Sequence, residues 1–142
     1  MISPIFNVQD VDASVTFYTE KLGFKHSFSL PGPDGRNAFA FVSLGDAINI
    51  GLNLDDNVGA QGVDFMLYVP EGSTVDALYD DIQGRSVPIA VDIDTRYWGD
   101  RTFSVRDPDN YLLTFAQTVQ QTDMNEVAAM MRGGEAPSTV TE

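Results

Sequence analysis

The stretch Val8-Gln9-Asp10-Val11-Asp12-Ala13-Ser14-Val15-Thr16-Phe17-Tyr18-Thr19-Glu20-Lys21-Leu22-Gly23 decides the fold, because its outline returns later in the chain. Val69 stands for Val8, Tyr79 for Tyr18 and Gly84 for Gly23, a common offset of 61 residues. Phe17 answers to Leu78 at the same offset, and Val15 to Val75 one residue out of step. Two copies are too few for a solenoid, so the repeat reads as a duplicated module inside one domain.

Each copy reads as a strand, a helix and three more strands. Ile5–Val8 is a short strand and Asp10 a helix N-cap; Val11, Val15, Tyr18 and Leu22 then recur at helical spacing. Gly23 sits where a left-handed residue ends a helix. Strands are expected over Phe24–Leu30, Asn37–Leu44 and Ala47–Leu54, parted by the turn formers Pro31 to Gly35 and Gly45-Asp46. The second copy opens on the alternating run Asp64–Val69. Ser73 or Thr74 caps a helix with the stripe Val75, Leu78, Tyr79 and Ile82, and strands follow over Pro88–Asp94, Arg101–Arg106 and Tyr111–Gln117. Within the first of these, Ile89, Val91 and Ile93 alternate with Ala90, Asp92 and Asp94, which predicts one buried face.

Residues 1–117 thus form one domain, with module one over 1–54, a linker over 55–62 and module two over 63–117. Asp123 and Glu126 set out a capping box for a C-terminal helix within 118–134, and 135–142 read as a flexible tail.

Composition bounds the chemistry. The 142 residues include no Cys, which removes disulfides, thiolate nucleophiles and Cys-ligated metals. Apolar residues make up 43%, enough for a core without metal or disulfide staples. Twenty-one Asp and Glu against eight Lys and Arg leave a charge of −13, which repels phosphate backbones and anionic bilayers. Neither nucleic acid nor membrane is therefore expected as a partner. Met1–Phe6 lacks the basic and apolar regions of a signal peptide, and no run approaches the roughly 20 apolar residues of a membrane span. A cytoplasmic location is expected.

Two segments carry a family likeness. The first is Val8-x-Asp10-Val11-x-x-Ser14-Val15-x-Phe17-Tyr18 leading to Leu22-Gly23-Phe24. The second is Trp98-Gly99-x-Arg101-x-Phe103-x-Val105-x-Asp107-Pro108-Asp109-Asn110-Tyr111-Leu112-Leu113-x-Phe115. In this order and spacing they resemble the glyoxalase/bleomycin-resistance/extradiol-dioxygenase (vicinal oxygen chelate) superfamily, closest in pattern to its bleomycin-resistance-like members. The resemblance implies an α+β fold of two tandem βαβββ modules whose curved sheets enclose a cavity. It also implies a homodimer, with the pocket of some members at the junction of two chains.

Enzymes of the superfamily hold a divalent metal on four inward His, Glu or Gln side chains. Carried onto this chain, those positions fall at Ser3, Ile50 (Asn49 if the register moves by one), Asp64 and Thr114. Only Asp64 is a good ligand, and the lone His26 lies away from all four. Neither a metal nor a cofactor is expected, and no catalytic residue is assigned.

The segment Tyr97-Trp98-Gly99-Asp100-Arg101 holds the only Trp. In similar binding proteins this loop borders the cavity and offers aromatic surface to a planar ligand. The same residues read equally as a plug, with Arg101 neutralising Asp92, Asp94 or Asp107. Phe39 and Phe41 read as cavity wall or as core. The expected ligand site joins Asp64, Tyr97, Trp98 and Arg101 to Phe39, Phe41, Asn49 and Thr114. The expected function is metal-independent sequestration of a small drug or metabolite, cationic or aromatic. The alternative is a lyase, isomerase or dioxygenase with an atypical metal or acid–base site around Asp64.

Overall fold

The computed structural model describes residues 2–134. The first copy of the repeat folds as β1 (Ile5–Val8), α1 (Val11–Thr16), β2 (Lys25–Pro31), β3 (Asn37–Leu44) and β4 (Ile48–Leu54). The second folds as β5 (Phe65–Tyr68), α2 (Val75–Gly84), β6 (Val91–Thr95), β7 (Asp100–Arg106) and β8 (Leu112–Thr118), and α3 (Met124–Arg132) follows. The two sheets have the same strand order, β1-β4-β3-β2 and β5-β8-β7-β6. In each, the first strand runs parallel to the last and the other pairs are antiparallel. The fold is therefore α+β, built from two βαβββ modules.

Local chemistry sets the helix ends. The Asp10 carboxylate accepts from Ala13 N at 3.0 Å, and Thr74, not Ser73, caps α2 by accepting from Ala77 N at 3.1 Å. Beyond Thr16 the first helix widens into a π-helical turn over Phe17–Lys21. There Thr19 Oγ1 donates to the Val15 carbonyl at 2.8 Å, drawing it away from the regular backbone ladder. Gly23, at φ +77°, ends the segment as its position predicts.

Alternation along the strands builds one core. Phe6, Val8, Val42, Ile50 and Leu52 of module one are buried against α1, and Phe103, Val105, Leu113 and Phe115 of module two against α2. The modules meet through aromatic rings and buried hydroxyls. Phe6 stacks on Tyr111 at 4.3 Å between centroids and meets Phe65 at 4.6 Å. The buried Tyr18 hydroxyl donates to Asp107 Oδ2 at 2.8 Å. Tyr111 donates to the Asn7 carbonyl at 2.8 Å and accepts from Gly59 N at 3.0 Å, pinning the linker to the seam.

Two expectations need correction. β6 starts at Val91 rather than Pro88, since Pro88 has no N–H to offer a ladder and Ala90 N makes the first bond, to the Ser104 carbonyl at 2.8 Å. As the outer strand, it slips register between Val91 and Asp94, and Val91 is 43% exposed; the alternation there does not mark a buried face. The C-terminal helix occupies only Met124–Arg132, and its Asp123 cap accepts from Asn125 N rather than from Glu126. The tail expected at 135–142 lies outside the described residues. β2, the outer strand of the other sheet, also slips register, between His26 and Phe28 and again at Pro31. No helix among the described residues is long and apolar enough to cross a membrane.

Candidate functional site

Each sheet turns one face to its helix; the opposite, open-side face is part exposed in module one, while in module two Asp100, Thr102, Ser104 and Ala116 on it are buried. In module one the open face carries Ile5 and Asn7 of β1, Asn49, Gly51 and Asn53 of β4, and Phe39 and Phe41 of β3. Phe28 and Leu30 of β2 extend it, 45% and 54% exposed. Phe39 and Phe41 are therefore half-buried wall residues of this face. A Cβ on Gly51 would lie 3.0 Å from Phe39 Cζ and 3.3 Å from Phe41 Cε1, so glycine is what lets the two rings lie down on the sheet. The rings pack edge to face, Phe39 on Phe41 at 5.0 Å and Phe28 on Phe41 at 5.3 Å.

Module two's open face is more polar. Asp64 just before β5 alternates with Met66 and Tyr68 within it, and Asp100, Thr102 and Ser104 alternate along β7. Ser104 and Thr114 hydroxyls share a hydrogen bond of 2.7 Å. Asp100, only 5% exposed, accepts three neutral donors: the Tyr68 hydroxyl at 2.7 Å, Thr118 Oγ1 at 2.8 Å and Trp98 Nε1 at 3.1 Å. The hydrogen bond to Asp100, followed by burial and the carboxylate's charge, raises the Tyr68 hydroxyl above its ordinary pKa. Tyr68 therefore remains a neutral donor at neutral pH. Sequence reasoning passed over Asp100 as a site residue. The signal was the alternation of Asp100, Thr102 and Ser104 with Arg101, Phe103 and Val105, which gives an interior strand one polar face.

The two faces adjoin at a cleft of about 450 Å³ between the start of β4 and β5. Its walls are mostly apolar: Ile2, Pro4, Ile48, Phe65, Met66 and the ring of Tyr68. Two of the four positions implied for metal ligands are in its lining, Asp64 and the β4 position with both Asn49 and Ile50, and Ser3 lies in the chain between the lining residues Ile2 and Pro4. The strand register sends Ile50 into the core, fully buried opposite Val42, and turns Asn49 to the open face. Asp64 is exposed, and the hydroxyl of Thr114, paired with Met66, is already engaged in a hydrogen bond with that of Ser104.

An amide, two hydroxyls and one carboxylate do not fit a transition metal, which asks for imidazole, thiolate or several carboxylates. Among the described residues no three His, Cys, Asp or Glu side chains come together. His26 lies on exposed β2, its Nε2 2.7 Å from Ser29 Oγ. A larger cleft of about 740 Å³ opens under the linker, but loop backbone, Arg106, Asp109 and Asn110 make its wall polar.

Tyr97 and Trp98 form the hairpin between β6 and β7, their rings 5.0 Å apart and nearly perpendicular. Arg101 goes the other way. It shares the helix-facing side of β7 with Phe103, and its Nε lies 3.0 and 3.1 Å from the two carboxylate oxygens of Asp76 on α2. A further bond joins it to Thr95 Oγ1 at 3.1 Å. Its carboxylate partner is thus Asp76, not Asp92, Asp94 or Asp107, because strand parity turns it to the helix. Asp107 instead sits buried beneath Tyr18, where loss of solvent pushes its carboxyl up to about 6 despite three hydrogen bonds. Of the expected site, Asn49 and Asp64 share the cleft, Thr114 lies beside it, and Phe39 and Phe41 occupy the neighbouring face. Tyr97 and Trp98 stand near Asp100, and Arg101 stands apart.

Comparisons with known proteins agree on the fold. The sequence model of the Glyoxalase/Bleomycin resistance protein/Dioxygenase superfamily matches residues 2–115. An uncharacterized protein of Mycobacterium bovis is 25% identical over 142 residues, covering 92% of this chain and 91% of that one. A glyoxalase-related enzyme from Clostridium phytofermentans superposes with a TM-score of 0.70 at 20% identity, over 83% of this chain and 94% of that one. TnmS3, an antibiotic binding protein from Streptomyces sp. CB03234, superposes with a TM-score of 0.65 at 24% identity, over 82% and 93% of the two chains. At such identities the solved structures speak for the fold alone.

Proposed function

The chain belongs to the glyoxalase/bleomycin resistance protein/dioxygenase superfamily, and from that premise we propose that it binds and sequesters a small molecule without a metal. The observation that carries the reading is the cleft of about 450 Å³ between β4 and β5, which holds Asn49 and Asp64 yet is walled mostly by apolar side chains. Its size falls within the range of about 300–1,000 Å³ usual for small-molecule sites, and apolar walls with a few polar groups are their usual lining. TnmS3, whose fold is similar, is an antibiotic binding protein and supports a binding role by analogy.

The −13 charge and Asp64 at the cleft favour a cationic guest, and the apolar walls an aromatic one. We read the protein as a cytoplasmic homodimer. An acid–base or metal site around Asp64 has less support. That carboxylate is exposed and, among the described residues, has no hydrogen-bonded or charged partner to orient it.

Thermal-shift screening against planar aromatic metabolites and cationic glycopeptide drugs tests the reading. At least one compound should raise the melting temperature at saturation. Met66→Trp, at a position 43% exposed on the cleft wall, should weaken that compound at least tenfold while melting within a few degrees of wild type. No shift with any compound, or an undiminished shift in the Trp variant, would overturn it.

A further inference from the structure

Asp100 is a buried carboxylate held by neutral donors. Burying a charge is costly, and proteins usually offset it with a cation. Here the offset comes from two aromatic side chains and a threonine. None of the ion pairs among the described residues involves Asp100. Arg96 is close in the chain, but its Nε donates to Thr102 Oγ1 at 3.0 Å and its Nη2 to the Asp92 carbonyl at 3.3 Å. The carboxylate thus has no cation in salt-bridge contact; its immediate partners are the neutral rings and hydroxyl that hold it.

Of the two rings, Tyr68 is 47% exposed and lines the cleft, whereas Trp98 is partly buried beside Tyr97 and stands outside the lining. A cation resting on an aromatic face is attracted by the ring's quadrupole. When the ring's own hydroxyl donates to a carboxylate at 2.7 Å, that attraction gains the field of a full negative charge in a poorly solvated place. From this geometry we infer that Asp100, acting through Tyr68 and Trp98, selects a positively charged planar guest: an aromatic ring system bearing a protonated amine or ring nitrogen. The inference rests on the cleft reading above and names the ligand class for that site. The apolar walls take the ring system, and the cationic group lies on Tyr68. Asp100 is a specificity-determining residue that acts on the guest through its field.

Asp100→Asn separates charge from shape. With its carbonyl oxygen toward Tyr68 and Trp98 and its amide toward the Thr118 oxygen, the asparagine keeps all three hydrogen bonds and loses only the charge. The probes are 9-aminoacridine, a planar cation at neutral pH, and acridone, its neutral counterpart, titrated against the full chain by fluorescence polarisation. Wild type should bind the cation at least tenfold more tightly than the neutral ring, and in Asp100→Asn the ratio should fall to within about threefold. A ratio that persists in the variant, or no preference in wild type, overturns the inference and leaves the cleft reading standing. Binding of neither probe counts against both.

The wild-type protein gives a second readout that needs no variant. Its single Trp yields one indole N–H signal in a proton–nitrogen correlation spectrum. Saturating 9-aminoacridine should displace that signal with the same Kd as the polarisation titration; a signal that stays in place overturns the inference even if Asp100→Asn does not fold.

Discussion

Phe6→Ala is expected to lower the unfolding free energy by about 3–5 kcal/mol, the usual cost of removing a large aromatic side chain from a packed interior. The ring is only 2% exposed and belongs to β1, yet its neighbours Phe65 and Tyr111 come from module two. Truncation therefore opens a void at the seam, lined by side chains fixed in two separate sheets. Relaxation is limited because Tyr111 is also tied to the Asn7 carbonyl and the Gly59 amide. Urea titration reads the loss directly. Phe28→Ala is the control: its ring is 45% exposed on the outer strand, so its removal should cost about 1 kcal/mol or less. Equal losses at the two positions would mean that the seam does not bind the modules together.

The second large effect is one of pH. The Asp107 carboxyl is raised from 3.8 to about 6, chiefly by burial and against the hydrogen bonds from Tyr111 N, Tyr18 and Asp109 N. Burial first, and then the Asp107 charge, raises the Tyr18 hydroxyl well above 10, so it remains a donor throughout. The sign follows from linkage. Between about pH 6 and 3.8 the folded protein binds a proton at Asp107 that the unfolded chain does not, so this residue's contribution to stability grows as pH falls from 7 and levels off below 3.8. At about 1.4 kcal/mol for each tenfold difference in proton affinity, the full change is on the order of 3 kcal/mol.

Asp107→Asn can keep the two backbone bonds through its carbonyl oxygen and donate its amide to the Tyr18 oxygen, so it removes the titration and little else. All other carboxylates are common to both proteins, so the difference in unfolding free energy between them isolates Asp107. Wild type should gain on the variant by about 2 kcal/mol between pH 7 and pH 4.5, most of the full change; parallel profiles would refute the assignment.

How far the sequence could be read follows from the kind of signal each feature leaves. The duplicated outline gave the module order, and the N-cap at Asp10, the left-handed Gly23 and the strands Ile5–Val8 and Asn37–Leu44 match it residue for residue. These depend on side chains acting on their own backbone. β6 was misread because Ile89, Val91 and Ile93 alternate as an interior strand would, and whether a strand is flanked on both sides is a tertiary fact. Arg101 was placed among the wrong carboxylates for a related reason: its partner Asp76 is 25 residues away and meets it only because α2 lies across β7. Asn49 against Ile50 was a question of register, which cross-strand pairing answers and spacing alone does not. Asp100 escaped notice because a lone carboxylate beside Trp98 reads as surface until Tyr68 and Thr118 close over it.

The register slips on both outer strands bear on how the protein behaves at high concentration. An outer strand that is straight and apolar invites copies to join edge to edge and grow into fibres. β2 carries Phe28 and Leu30 in the open, and β6 carries Val91. Each strand is kinked just where those side chains lie, β2 ends on a proline and β6 is studded with Asp92 and Asp94. Neither margin offers a template for a growing ribbon, so the molecule can carry uncovered greasy side chains on its outer strands and still resist polymerisation.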